Sequence, residues 1–205
     1  MTVRTLDLEA LNLKQGAHEP SSQEMCVMEA VAYIANEPWS DHPQCASPVI
    51  ATFMRSYNDS VSDEVRQTLK QFIPRLIGTK GSVEIEERRS LVAADWLVRV
   101  HTPAWLRLAG LTANAEALES LPEITSLAAV PSIIPELEAA TRDADAARDA
   151  AWAAAMAAAW DAARAAAWSD AWDVAWDAAG AALKPTVEKL QATVPELIER
   201  MLAVC

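Results

Sequence analysis

The sequence is poor in positive charge. It holds 17 Lys and Arg against 29 Asp and Glu, which gives a formal net charge of −12, and its basic residues form no patch. Nucleic-acid backbones and anionic membrane surfaces are bound through clustered positive charge, which releases their counterions. We therefore expect neither a nucleic acid nor a membrane among the partners of this protein.

Cysteines and long apolar runs are also scarce. The three cysteines, Cys26, Cys45 and Cys205, are an odd and sparse set, which indicates reduced thiols. Residues 1–13 alternate polar and apolar side chains and lack the continuous apolar stretch of a signal peptide. Charged residues interrupt the longest alanine run, so no transmembrane span is predicted. Together these features predict a cytoplasmic protein.

Beyond an extended or irregular lead-in at residues 1–20, no stretch of any length alternates in the manner of a β-strand. Apolar residues instead recur at helical spacing between caps and breakers, such as the capping-box pattern at residues 21–24, the pair Ser47 and Pro48, and Ser62 as the cap of a further helix. Tight turns, as at residues 78–81, separate these segments. The sequence therefore predicts an all-α protein, with residues 1–135 forming a compact bundle of about six helices.

Residues 136–184 form a long alanine-rich segment studded with tryptophan. Between residues 139 and 182, 24 of 44 positions are alanine, the strongest helix former, and none is proline. The large side chains recur every fourth residue, at Trp152, Met156 and Trp160 and again at Trp168, Trp172 and Trp176. Four residues turn a helix by about 400°, so each step shifts the stripe by about 40° and the stripe spirals around the helix.

No straight neighbouring helix can cover such a spiral. Either a partner winds around one continuous or gently bent helix, which we favour, or the chain breaks into two helices near residues 168–170. The tryptophans then belong to the core of this chain, or they form a surface for a protein partner or for self-association: Trp152, Trp160, Trp168, Trp172 and Trp176. Pro185 is expected to end or kink the segment, and residues 185–205 to form a last helix, with a start signal at Thr193, that packs back.

The densest polar cluster surrounds the proline-flanked loop at residues 37–45. Its candidate site residues are His18, Glu29, Asp41, His42 and Cys45. A metal site built from Cys26, His42 and Cys45 lacks the fourth ligand of a structural zinc, so no metal ligand is assigned. A nucleophilic site would use Cys45 or Ser47 beside His42, although such groups usually come from distant parts of a chain.

A structural interpretation of the same cluster competes with both. In it, Asp41 and Ser47 cap helices, the thiols of Cys26 and Cys45 are small core groups, and His42 bonds a main-chain carbonyl. No glycine-rich phosphate loop, nucleophile elbow or HExxH motif occurs in the sequence. We therefore assign no catalytic residue, and the sequence identifies no cofactor.

Residues 6–111 contain a set of short, specific sequence words. They are Leu-Asp-Leu at 6–8, Gly-Ala-His at 16–18, Cys-Val-Met-Glu-Ala-Val at 26–31, Glu-Pro-Trp-Ser-Asp-His-Pro at 37–43, Cys-Ala-Ser-Pro-Val at 45–49, Asn-Asp at 58–59, Gly-Thr at 78–79, Glu-Arg-Arg at 87–89, Asp-Trp-Leu-Val-Arg at 95–99 and Pro-Ala-Trp-Leu at 103–106. In these words the chain resembles a family of uncharacterised proteins encoded by actinobacteria and their phages. The alanine-rich repeat and the Lys-Pro-Thr-Val of the closing segment are similar too. The resemblance implies a bacterial or phage cytosolic context and no particular activity.

Three functions remain open on the sequence. The leading hypothesis is a non-catalytic binding protein that uses the alanine- and tryptophan-rich helix as a packing or partner surface. The second is a small hydrolase or metal-dependent enzyme centred on residues 37–45. The third is a structural or oligomerisation arm.

Overall fold

The structure of the protein, a computed structural model, describes residues 4–20, 24–165 and 168–205, and describes their side chains except at residues 150–179. Within these ranges the chain is helical and no β-strand occurs, although Leu13 and Met25 form an isolated bridge. The predicted all-α class is confirmed.

The α-helices follow one another with short connections. They are α1 (Val27–Ile34), α2 (Pro48–Ser60), α3 (Asp63–Gln67), α4 (Ile73–Leu76), α5 (Val83–Trp96), α6 (Thr102–Leu108), α7 (Thr112–Glu119), α8 (Val130–Ala165) and α9 (Trp168–Leu202). Single 3₁₀ turns span Thr68–Phe72 and Leu127–Ala129, and a π-helical turn spans Leu97–His101. Residues 166–167 lie outside the described residues, so the choice between one long helix and two stays a prediction.

Contacts between residues divide the chain into two compact units. The first comprises residues 1–90 and 198–205, and the second comprises residues 91–197. The sequence places its boundaries elsewhere, at residues 135 and 184. Those boundaries mark changes in composition and stay a prediction.

Serine side chains begin several helices of the first unit. The Ser47 hydroxyl accepts the Ile50 N–H at 3.2 Å at the start of α2, and the Ser62 hydroxyl accepts the Val65 N–H at 3.4 Å at the start of α3. Each cap satisfies a main-chain donor that the first helical turn leaves without a partner, and each is worth about 1 kcal/mol. These local signals are the ones that the sequence displays, so both helix starts match the predicted positions.

The core of the first unit forms where α1 packs against α2 and α4. Its fully buried apolar side chains are Leu13, Met28, Ile50, Met54, Leu69, Ile73, Leu76, Ile198 and Met201. Burying one such side chain contributes about 1.5–3 kcal/mol. Two of them come from the last turns of α9, so the end of the chain contributes to the core of the first unit.

Arg89 fastens this last segment to the first unit. Its buried guanidinium donates to the main-chain oxygens of Met201 and Val204, both at 3.2 Å, and to the Glu86 carboxylate at 2.8 Å. Burial alone would raise the pKa of Glu86, but hydrogen bonds from Ser47 and its neighbours together with the Arg89 charge hold it below the usual value. The sequence predicts residues 86–89 to be mostly a solvated helix face in which one arginine can be paired inside. Arg89, 5% exposed and paired with Glu86, is that arginine.

The second unit is built around two apolar clusters. Their buried members are Leu106, Ala115, Leu118 and Ala140 in one cluster and Leu91, Ile124 and Ile133 in the other. The buried Asp95 carboxylate accepts the Ile124 N–H at 3.0 Å and pairs with Arg99 at 3.1 Å. This bond ties the end of α5 to the connection that precedes α8.

A histidine lies between two tryptophans at the π-helical turn. The ring centroid of His101 is 5.2 Å from that of Trp96 and 6.2 Å from that of Trp105, whose Nε1 donates to His101 Nε2 at 3.2 Å. Burial lowers the pKa of His101, which favours the neutral ring that this bond requires. Trp96 Nε1 in turn donates to the Thr193 hydroxyl on α9 at 2.9 Å.

Prolines do not divide the chain where the sequence predicts. Pro185 and Pro195 both lie inside α9, so a helix end at residue 185 and a new start at Thr193 are wrong, while the alternative of a kink at Pro185 stays a prediction. The Thr193 hydroxyl donates to the Leu190 oxygen at 2.8 Å instead of capping a new helix. A proline costs a helix one main-chain bond, and the exposed turn before Pro185 leaves the freed carbonyl open to water.

Candidate functional site

His18 and Glu29 form a tightly bonded pair in the first unit. Glu29, on α1, is 1% exposed, and its carboxylate accepts the His18 N–H at 2.6 Å, bonds His18 Nδ1 at 2.9 Å and accepts the Cys26 N–H at 2.7 Å. A buried carboxylate is tolerated when hydrogen bonds replace its water shell. The pair therefore fastens the segment before α1 to the first turn of that helix.

The loop after α1 closes over this pair. The indole Nε1 of Trp39 donates to the main-chain oxygen of His18 at 2.6 Å. This bond joins the loop at residues 37–45 to the segment that carries His18. The three side chains thus position one another, and the loop is anchored before it reaches Asp41.

Asp41 and His42 form a second, more exposed pair. Asp41 Oδ1 lies 2.6 Å from His42 Nδ1, and the His42 side chain is 64% exposed. Arg55, on α2, donates to the main-chain oxygen of Asp41 at 3.0 Å. The His42 ring thus meets a carboxylate, where the structural interpretation of the sequence places a main-chain carbonyl.

The buried thiols and the Ser47 hydroxyl are poor nucleophiles. Desolvation, reinforced by the charge of Glu29, raises the pKa of Cys26 to about 12, and burial together with Glu37 raises that of Cys45. A thiol reacts as its thiolate, so both are protonated and inert at neutral pH. Ser47 is fully buried, caps α2 and donates to Glu86 at 2.5 Å.

The hydrogen bonds form two pairs within the predicted cluster, His18 with Glu29 and Asp41 with His42, and Cys45 belongs to neither pair. Among the residues that the structure describes, no three His, Cys, Asp or Glu side chains lie close enough together to hold a metal ion. The candidate site of His18, Glu29, Asp41, His42 and Cys45 stays a prediction.

A groove of about 190 Å³ is lined by His42 together with Arg55 and Lys80. No motif of the sequence marks the last two residues. Arg55 stands on α2 beside the apolar face of that helix, and Lys80 follows α4 by four residues. Their proximity to His42 arises from the packing of α2 and the loop at residues 78–81, which no local pattern displays. The one sequence feature of these residues that indicates a site is their positive charge in an acidic protein.

The predicted tryptophan surface lies outside the residues whose side chains are described. Its members are Trp152, Trp160, Trp168, Trp172 and Trp176. The backbone there belongs to α8 and α9, apart from residues 166–167. On the described side of the segment, Asp145 and Arg148, whose spacing of three residues favours pairing on a helix, form an ion pair at 3.0 Å.

Comparison with protein-family models, with curated proteins and with solved structures finds no match. The resemblance to the actinobacterial and phage family therefore stays a prediction. In the part of the chain that the structure describes, no helix combines the length and the apolar character needed to cross a membrane.

Proposed function

We propose that the protein is a non-catalytic binding protein whose partner surface is the alanine- and tryptophan-rich segment, residues 136–184. The observation that carries the proposal is the exposure of the helix turns on both sides of the tryptophans. Residues 180–185 of α9 are all exposed, and residues 141–149 of α8 are exposed except for the half-buried Ala144 and Ala147.

Exposure over this length involves every side of the helix. Six consecutive residues make more than one and a half helical turns, so residues 180–185 present all faces to water. Helix propensity sustains such a stretch, because alanine loses little on entering a helix. Leu183, 42% exposed, adds an apolar side chain to the bare turns. The exposure of these turns supports the proposal that a partner covers the segment.

The charge of the segment favours a different protein over a second copy. Residues 136–184 carry nine Asp and Glu against four Lys and Arg, a net charge of −5. Two such segments repel each other, whereas a surface that is both apolar and basic complements one of them. The partner that we propose has that chemistry.

The bonds of the polar candidates support binding over catalysis. Glu29 holds the segment before α1, Asp41 bonds His42, and Ser47 caps α2. A general base or nucleophile must present its reacting atom to a substrate. Glu29 and Ser47 are occupied by these bonds, and the two buried thiols are protonated.

The decisive experiment replaces all five tryptophans of the segment by alanine. Alanine retains helix propensity, so we expect the far-ultraviolet circular dichroism and the free energy of unfolding to stay within about 1 kcal/mol of the parent. Were the tryptophans core residues, each replacement would cost about 3–5 kcal/mol and the variant would unfold. That loss would overturn the proposal.

Fluorescence supplies the second measurement. Because alanine leaves Trp39, Trp96 and Trp105 in place, the difference between the parent and the variant isolates the emission of the segment. We expect that emission to be red-shifted and open to acrylamide quenching in the free protein. Blue-shifted, quencher-resistant emission in a sample that sediments as a monomer would contradict a free partner surface. If the parent sediments in a concentration-dependent manner and the alanine variant does not, the result would instead support the oligomerisation arm.

A further inference from the structure

A groove in the first unit lies between α2 and the loop that precedes it, with a volume of about 190 Å³. Its floor is apolar. Ala46 and Ala51 are each 3% exposed, and Pro43 is buried beside them. Prolines fix the backbone of this loop, so the floor is formed before any ligand arrives.

Main-chain bonds hold the walls of the groove in place. The Lys80 N–H donates to the Cys45 oxygen at 3.1 Å, and the Gln44 N–H donates to the Glu37 carboxylate at 2.5 Å. The first bond connects the loop to the turn after α4, and the second closes the loop on itself. Because a rigid groove loses little conformational entropy on binding, a small ligand can be held by a few contacts.

Arg55 brings a fixed positive charge to the groove. Its guanidinium donates to the Asp41 main-chain oxygen at 3.0 Å and to the Thr52 hydroxyl at 3.2 Å. Both acceptors are uncharged, and Arg55 also forms a long ion pair, 4.0 Å from Nε to Oδ2, with the Asp41 carboxylate, whose Oδ1 bonds His42. A guanidinium has five N–H donors, so the two bonds orient Arg55 and leave donors for a ligand.

Lys80 and His42 complete the polar rim. The Lys80 side chain is exposed, and its ammonium makes no ion pair with any residue in the described ranges. The His42 ring bonds Asp41 through Nδ1 and is 64% exposed. Two basic side chains, Arg55 and Lys80, therefore line one groove of a protein whose net charge is −12.

We propose that this groove binds a small organic carboxylate, with its carboxylate on Arg55 and Lys80 and its hydrocarbon stem on the floor of Pro43, Ala46 and Ala51. A guanidinium matches the two oxygens of a carboxylate. The volume lies below the roughly 300–1,000 Å³ of sites for drug-sized ligands, which selects a short acid. Inorganic phosphate offers no stem and leaves the apolar floor unused. The site is independent of the partner surface at residues 136–184.

The test is a nuclear magnetic resonance titration of the full chain with butyrate. Butyramide, inorganic phosphate and a blocked glutamyl tripeptide serve as comparison ligands. We expect butyrate to saturate with a Kd on the order of 1 mM, a value that a ligand of this size reaches in a preformed site. The shifted resonances are expected at His42 and Ala51, and butyramide and phosphate are expected to bind at least tenfold more weakly.

Two variants and a matched control locate the site. We expect Lys80→Gln to weaken butyrate binding by about two- to fivefold, as for an exposed charge pair. Arg55→Gln removes a charged double hydrogen bond, and we expect a loss of about tenfold or more. Lys70→Gln changes the net charge equally and lies outside the lining of the groove, so its Kd is expected to match the parent.

Four outcomes would overturn the proposal. They are the absence of saturable butyrate binding, equal binding of butyramide or phosphate, tighter binding of the tripeptide than of butyrate, and equal effects of Lys80→Gln and Lys70→Gln. Circular dichroism checks that Arg55→Gln folds. If it does not, Lys80→Gln decides alone, because that side chain is exposed and supports no described contact.

Discussion

The first compact unit is held together by buried hydrogen bonds, whereas the stretch of α9 that follows the tryptophans, residues 180–185, relies on helix propensity. Among described side chains, the buried polar ones are Glu29, Ser47, Asn58, Arg66 and Arg89 in the first unit and Asp95 in the second. Residues 180–185 of α9, by contrast, bury none of their side chains. Specific bonds fix one arrangement, while propensity fixes only a local conformation.

The difference between these two regions indicates where a functional surface is expected. A buried polar network tolerates few changes, because removing one partner leaves the other unsatisfied. An exposed alanine-rich stretch such as residues 180–185 tolerates many, because none of its side chains is buried. Substitutions in the two regions should therefore change the free energy of unfolding by different amounts and, in one case, in opposite directions.

The largest effect is expected at Arg89. In R89M the main-chain oxygens of Met201 and Val204 and the charge of Glu86 lose a buried partner. We expect a loss of about 3–5 kcal/mol in the free energy of unfolding, the usual result of breaking a buried pair. Urea unfolding followed by circular dichroism measures it.

The neighbouring Arg88 provides the control for this variant. Arg88 is exposed and donates to the main-chain oxygen of Cys205. R88M removes the same charge from the same helix at a position that is not buried, so we expect a change of about 0.5 kcal/mol or less. Equal losses in R89M and R88M would show that burial of Arg89 contributes nothing.

A smaller loss is expected at Glu29. E29Q keeps the shape of the side chain but turns an amide N–H₂ toward the donors of His18 and Cys26. We expect a loss of about 2–3 kcal/mol, the cost of leaving a buried donor unsatisfied. The exposed Glu87 gives the control, since E87Q is expected to be neutral. A fully stable E29Q protein would contradict the anchoring role and reopen the enzymatic hypothesis.

Local signals in the sequence predict the helices and their starts well. Ser47 and Ser62 cap helices as expected, and Asp145 pairs with Arg148 three residues later. Each of these interactions joins residues within one or two helical turns. Propensity and spacing therefore contain the information that is needed.

Contacts between distant residues explain what the sequence does not predict. Arg89 bonds a main-chain oxygen 112 residues away, and no pattern along the chain displays that proximity. The continuation of α9 through Pro185 and Pro195 is likewise a balance in which the surrounding helix outweighs the lost main-chain bonds. The candidate site was predicted as a set of residue types, and the bonding of His18 to Glu29, 11 residues further along the chain, follows from packing.

The smallest change in stability is expected for the replacement of glycine by alanine. This substitution should stabilise α9 at Gly180 and destabilise the first unit at Gly81. Gly180 lies inside α9, and a Cβ built there meets nothing within 4 Å. We expect G180A to raise the free energy of unfolding by about 0.5–1 kcal/mol, since alanine loses less backbone entropy in a helix. At Gly81 a Cβ would lie 2.5 Å from Ile85 Cγ2 and 2.7 Å from Ile85 Cβ, so G81A should cost about 1–3 kcal/mol. Thermal unfolding of both variants measures the contrast, and a destabilised G180A would mean that the turn around residue 180 is covered by another part of the protein.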